Sequence, residues 1–250
     1  KINILDTAEA YGNSQERIGE YLKKTNNKFK IITKYSKLRN DLPSNIIDRV
    51  KNNLEILNVD NLYCYMFHNF NDYISFSNLF QEDLLCLKRN GLIKKIGVSL
   101  HSNEEISEVL KNSNIDLIQL PFNLLDNSSQ RKEILIKAKT KGIEVHTRSV
   151  FLQGLFFQDS NDIKGKLLEI KEDLNIIKGI VGKEDMNDLA LNYAYSKEYI
   201  DCVLLGVDSV DQLKSNINTI KNSKTENFNH EVDNIVVKNN LLLNPANWNS

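Results

Sequence analysis

The feature that most restricts what this chain folds into is an alternation. Short β-branched and aromatic runs are separated by longer amphipathic stretches almost to the end of the sequence. The runs are Ile2–Thr7, Phe29–Tyr35, Leu62–His68, Lys95–Leu100, Leu117–Asn123, Ile143–Ser149 and Ile200–Val207. Helical patterns follow near 14–24, 44–57, 75–90, 103–112, 129–141, 184–197 and 209–220. Such alternation is the mark of βα units stacked around a parallel sheet. Ser14, Ser102 or Asn103, and Ser209 stand where helix N-caps belong, and Gly91 and Gly142 where helices close.

Seven units are one short of a closed eightfold barrel, and 250 residues suit one such domain. A doubly wound open sheet is the competing architecture, but no Gly-rich dinucleotide turn follows any run. The expectation is an α/β fold of the (β/α)8 TIM-barrel class. It is a single domain over residues 1–250, with seven strands visible and the first βα unit missing, because the chain opens inside a strand. Residues 151–183 break the alternation and read as an active-site loop or insertion. In the tail, 230–250, Val232, Ile235, Val236 and Leu241 have the spacing of a last packed helix.

The formal net charge is −1 with both signs interspersed, so no footprint for nucleic acid or an anionic membrane is present. No apolar run approaches the roughly 20 residues of a membrane span. The opening Lys-Ile-Asn-Ile-Leu-Asp reads as a strand and not as a signal peptide. Cys64, Cys86 and Cys202 are odd in number and widely spaced, which fits reduced thiols in a cytoplasmic protein. No metal site is assigned, and the oligomeric state is not legible.

Chemistry-bearing residues fall at strand ends. Asp6 and Tyr11 flank the loop after the first run, in Asp-Thr-Ala-Glu-Ala-Tyr-Gly-Asn-Ser-Gln-Glu (residues 6–16). Lys34 ends Ile31-Ile32-Thr33, and His68 ends Tyr63-Cys64-Tyr65-Met66-Phe67. Each alone could be a structural hydrogen-bonding group. Parallel strands, however, bring their C-terminal ends together, where active sites of this architecture gather.

This set, with its Asp-Thr-Ala-x-x-Tyr-Gly-Asn-Ser-x-Glu motif, resembles the aldo-keto reductase superfamily from residue 2 to about residue 220. The resemblance implies that Tyr11 is the general acid, that Lys34 and Asp6 tune it, and that His68 orients the substrate. An ammonium within hydrogen-bond reach of a phenol favours the phenolate, which gives that tuning a physical basis. It also implies a nicotinamide cofactor. Ser99 of Gly97-Val98-Ser99 and Gln119 would meet the carboxamide, while Leu100 stands where the family usually has Asn. Arg148, beside Ser149, would stack on the nicotinamide or instead pair with a neighbouring carboxylate. Leu152 and Gly154 would line the pyrophosphate. Gly206, Ser209, Gln212 and Asn216 match the adenosine-phosphate segment. NADPH is the expected cofactor, with NADH as the alternative because Asp208 adjoins the phosphate position. The implied activity is reduction of a small aldehyde, ketone or sugar-derived carbonyl. A nucleotide-binding regulatory subunit or an inactive truncated remnant are the other readings. Substrate choice is expected to rest on loops Asn69–Ser75 and Phe151–Ile180.

Overall fold

The computed structural model describes residues 2–37, 44–181, 186–222 and 229–248. Two compact units divide the chain, Lys1–Gln119 and Leu120–Ser250.

In the first unit, parallel strands follow one another in chain order. They are β1 (Ile4–Asp6), β2 (Lys30–Tyr35), β3 (Leu62–Phe67), β4 (Ile93–Ser99) and the start of β5 (Leu117–Pro121). The crossovers are α1 (Ser14–Lys23), α2 (Ile46–Leu57), α3 (Phe70–Arg89) and α4 (Asn103–Val109). Side chains alternate between faces along a strand, so the register sorts them. Lys34 is level with Met66, Met66 with Gly97, and Gly97 with Leu117. Ile32, Cys64, Met66 and Leu117 accordingly form one buried apolar cluster, with Ile4 packed against it. Two residues further along the same strands and faces stand Asp6, Lys34, His68, Ser99 and Gln119. An apolar floor thus carries a polar tier at the strands' C-terminal ends. Gly97 lies in the floor, where a Cβ would meet Cys64 Sγ at 2.9 Å and the Leu117 carbonyl at 3.0 Å.

The second unit holds β6 (Glu144–Arg148) and β7 (Cys202–Val203), which pair in parallel. Its helices are α5 (Ser128–Thr140), α6 (Lys171–Val181), α7 (Met186–Tyr195), α8 (Val210–Lys221) and the short α9 (Asn229–Asp233). Asn127 caps α5 and also donates to the Val232 and Ile235 carbonyls, each at 2.9 Å, which pins the tail.

Several boundaries differ from expectation, each for a local reason. Strand β7 is two residues and not Ile200–Val207, because its partner β6 ends at Arg148 and the chain turns away at Ser149, φ 62°. Ser14 does not cap α1; its hydroxyl instead accepts from Thr7 Oγ1 at 2.9 Å, and Asn13 makes no side-chain cap bond. The segment Asn69–Ser75 is not a loop: Asn69 caps α3 by accepting from the Asp72 amide at 2.8 Å, so the helix begins at Phe70. The insertion after β6 contains two 3-10 turns, Leu152–Phe157 and Gly165–Ile170, and then α6; its last residues, 182 and 183, lie outside the described residues. The expected helix near 184–197 is described from Met186 on, with 184 and 185 also outside. The tail does not form the expected helix. After the five-residue α9 it runs into 3-10 turns, burying Val232, Ile235, Val237 and Leu242 while Val236 and Leu241 face solvent. Ser102 completes a capping box with Glu105, Ser209 caps α8, and Gly91 and Gly142 close α3 and α5 at φ 74° and 76°.

Among the described residues, no helix is long and apolar enough to cross a membrane.

Candidate active site

Lys34 occupies the centre of the polar tier. Its side chain is 1% exposed, and a buried ammonium requires partners. Asp6 Oδ1 ion-pairs with it, and the Thr7 carbonyl accepts from Nζ at 3.0 Å. The other Asp6 oxygen accepts from Gln119 Nε2 at 2.8 Å. The acid expected to aim Lys34 therefore also holds the glutamine expected to meet a cofactor amide. Ser99 is buried beside Gln119, in register with it across β4 and β5.

Tyr11 is brought back over this tier by two consecutive turns. Its amide donates to the Ala8 carbonyl at 3.0 Å, and the Ser14 amide donates to the Tyr11 carbonyl at 3.0 Å. Gly12, at φ 54°, adopts the left-handed conformation the second turn needs. The result places the Tyr11 ring with its centroid 5.1 Å from Lys34 Nζ. His68 meets the same ring edge-on, at 5.5 Å between centroids and 83° between planes. Tyr11 is 47% exposed, so a buried cation lies beneath a phenol that solvent or a ligand can reach. Asp6, Tyr11, Lys34 and His68 are thus brought together.

Beneath the Tyr11 loop lies a network that the sequence reading did not single out. Glu9 is buried, and donors surround both its oxygens. Oε2 accepts from the Ser36 amide at 2.9 Å and from Arg49 Nε and Nη2 at 2.9 and 2.7 Å. Oε1 accepts from Asn53 Nδ2 and the Tyr65 hydroxyl, both at 2.8 Å. Burial, and then the adjacent Glu9 carboxylate, push the Tyr65 phenol well above its ordinary value and keep it a donor. One signal was available in the sequence. Arg49 and Asn53 lie on the stripe of α2 that also buries Ile46, Val50, Leu54 and Leu57, where polar side chains need a buried partner.

The remaining expected residues lie in the second unit. Arg148 donates to Ser149 Oγ at 3.3 Å, and its charge is felt by buried Asp126. Ser149, Leu152, Gln153 and Gly154 all have positive φ, at 62°, 44°, 52° and 81°. Three of these are not glycine, a concentration of backbone strain of the kind found at ligand-binding turns. The Leu152 side chain is buried, and the Leu152 and Gly154 amides donate to the Ser149 and Phe151 carbonyls. Gly206 is exposed, and a Cβ there would meet nothing within 4 Å. The chain's own packing does not demand glycine at 206, which fits a place kept clear for a ligand. Ser209 Oγ accepts from the Gln212 amide at 3.1 Å, and Gln212 Oε1 accepts from the Asp208 amide at 2.7 Å. Gln212 is exposed. Asn216 is buried.

Parallel βα units with polar groups at the strand ends define the class, an α/β-barrel enzyme. The family model for the aldo/keto reductase family matches residues 1–237, and the chain belongs to that family. It is accordingly an oxidoreductase of the aldo-keto reductase type. An uncharacterized oxidoreductase of Bacillus subtilis (strain 168), YqkF, is 25% identical over 244 residues, 86% of this chain and 77% of its own length. The aldo-keto reductase AKR11C1 from Bacillus halodurans, in its holo form, superposes with a TM-score of 0.75 at 23% identity, over 94% of this chain and 83% of its own. MGS-M4, an aldo-keto reductase from a deep-sea metagenome library, gives 0.67 at 16% identity, over 95% and 82%.

Proposed function

We propose that this chain is an NADP(H)-dependent carbonyl reductase acting on a small aldehyde, ketone or sugar-derived carbonyl, with Tyr11 as proton donor. The observation that carries the reading is buried Lys34, paired with half-buried Asp6, beneath the exposed Tyr11 ring, with His68 edge-on to the same ring. A bound nicotinamide dinucleotide supplies the hydride. The protein's part is acid–base and electrostatic. Tyr11 gives its proton to the carbonyl oxygen, and Lys34, ion-paired with Asp6, supplies a cation close to the phenol as the proton leaves. His68 orients that oxygen and opposes its developing charge. Ser99 and Gln119 would hold the carboxamide, Arg148, beside Ser149, would stack on the nicotinamide, Leu152 and Gly154 would line the pyrophosphate, and Gly206, Ser209, Gln212 and Asn216 would hold the adenosine phosphate. The segment 151–183 would shape substrate access. Three widely spaced cysteines, an odd number, fit a cytoplasmic protein.

The test is Tyr11→Phe, which removes the hydroxyl and keeps the ring. Reduction of an activated aldehyde such as 4-nitrobenzaldehyde should fall by roughly 10²- to 10⁴-fold, the range for loss of a general acid. NADPH affinity, read by fluorescence titration, should stay within a few fold. An unchanged rate would keep the enzyme and remove Tyr11 from the role. Tight NADPH binding with no reduction of any carbonyl by the parent would favour a regulatory, nucleotide-binding subunit.

A further inference from the structure

We infer that Glu9 is a positioning residue for the reaction: its carboxylate clamps the Tyr11 loop onto the strand that carries Lys34. The inference rests on the reading of Tyr11 given above. Glu9 is two residues from Tyr11, and its amide donates to the carbonyl of Lys34 itself at 3.2 Å. Its side chain then reaches four anchors, one just beyond β2 and three on α2 and β3. Those anchors are the Ser36 amide just beyond β2, Arg49 and Asn53 on α2, and Tyr65 on β3. Arg49 Nη2 also donates to the Ser36 carbonyl at 2.5 Å, so the guanidinium joins the loop to the end of β2 directly.

The network continues beneath the loop. Gln15 Nε2 donates to Asn53 Oδ1 at 2.9 Å and to Thr33 Oγ1 at 2.7 Å, tying the first turn of α1 to the same anchors. The loop is therefore fixed on both sides of Tyr11, at Glu9 and at Gln15. Tyr11 itself is half exposed. The Ser36, Arg49, Asn53 and Tyr65 groups that meet the Glu9 carboxylate all donate to it, so the site suits an anion, whereas an amide there would turn its NH2 toward donors. A buried ion pair is not retained cheaply, since desolvation cancels much of its attraction. Here it fixes a distance: from Lys34 to the phenol above it. Small displacements of a proton donor cost rate steeply.

The experiment uses Tyr65→Phe, which removes one donor from Glu9 and keeps the ring, alongside the harsher Glu9→Gln. Rates are taken per NADPH-binding site titrated in the same sample, so unfolded protein does not count. Turnover of 4-nitrobenzaldehyde per site should fall about tenfold for Tyr65→Phe and about a hundredfold for Glu9→Gln, as expected for a misplaced donor. KM should change much less than turnover. In the Tyr11→Phe background the same substitutions should add almost nothing, because the group they position is gone. Hydrogen exchange should quicken across residues 7–14 and at Ser36 in Tyr65→Phe, and little elsewhere. Should Glu9→Gln not fold, Tyr65→Phe carries the test alone. Effects that persist in full in the Tyr11→Phe background, or vanish when counted per site, would show a merely structural role and overturn the inference. A Tyr11→Phe rate equal to the parent's would instead overturn the reading of Tyr11, and this inference with it.

Discussion

Lys34 shows how one side chain can be dictated by its surroundings. It lies on the strand face that two residues earlier buries Ile32, so its stem continues the apolar floor while its ammonium enters the polar tier. Replacing it with methionine keeps the stem and removes the charge beneath Tyr11. Carbonyl reduction by Lys34→Met should fall in the same direction as for Tyr11→Phe. The double variant should be hardly slower than either single one, since both act on one proton. Steady-state rates of the four proteins, with circular dichroism as a check on folding, decide it; additive losses would mean the two residues act separately. This pair was legible because a short motif and two strand ends carry Asp6, Tyr11, Lys34 and His68. Glu9 was not legible in the same way. Its partners, Ser36, Arg49, Asn53 and Tyr65, are scattered over the end of β2, α2 and β3, and only the tertiary fold collects them. Gln119 was recognised by position, but its bond to Asp6 spans 113 residues of sequence and needed the sheet register to appear.

Among the elements, what the sequence made legible followed from periodicity and caps, and what it hid followed from partners. The six-residue strands β2 and β3 fall within the expected runs because their alternation is long and both faces are buried. Strand β7 could not be bounded, because where it ends depends on where β6 turns away. Helix packing supplies a sharp case at Gly19, where α1 crosses α2. A Cβ there would collide with the Ile56 carbonyl oxygen, a backbone atom that cannot move aside alone. Gly19→Ala should therefore destabilise the protein by about 3 kcal/mol, the upper end for overpacking, despite the better helix propensity of alanine. Urea denaturation measures this, and a neutral or stabilising result would mean that the two helices separate freely. The start of α8 makes a functional forecast. Its positive dipole end favours a phosphate, whereas exposed Asp208 opposes one. NADPH should bind more tightly than NADH, and Gln212→Arg should widen the difference. Equal affinities in the parent would mean that Asp208 prevails.

For the molecule as a whole, buried tyrosines govern stability at high pH, and they occur in both units. Tyr65 of the first unit is held protonated by burial and by Glu9. In the second, burial raises Tyr193, whose hydroxyl donates to Asp233, and pushes Tyr199 up to about 12. An unfolded tyrosine ionises near its ordinary value of about 10. Between that pH and the folded values the native state holds protons that the unfolded chain has lost, so stability falls as pH rises through this window. Below about pH 10 the contribution is fully present. The expected result is an alkaline transition in which the far-ultraviolet circular dichroism and part of the phenolate absorbance at 295 nm change together. Tyr199→Phe removes one of the retained protons, so the fall in stability with pH should become shallower above pH 10, without the same change at pH 7. Ionisation of all nine tyrosines before any loss of circular dichroism would show that burial does not hold these phenols. Because Tyr65 lies in the glutamate network under Tyr11, its ionisation would also place a second negative charge beside Glu9. Carbonyl reduction should therefore be lost no later than the first unit's share of that transition, which an activity measurement on the same alkaline samples would test.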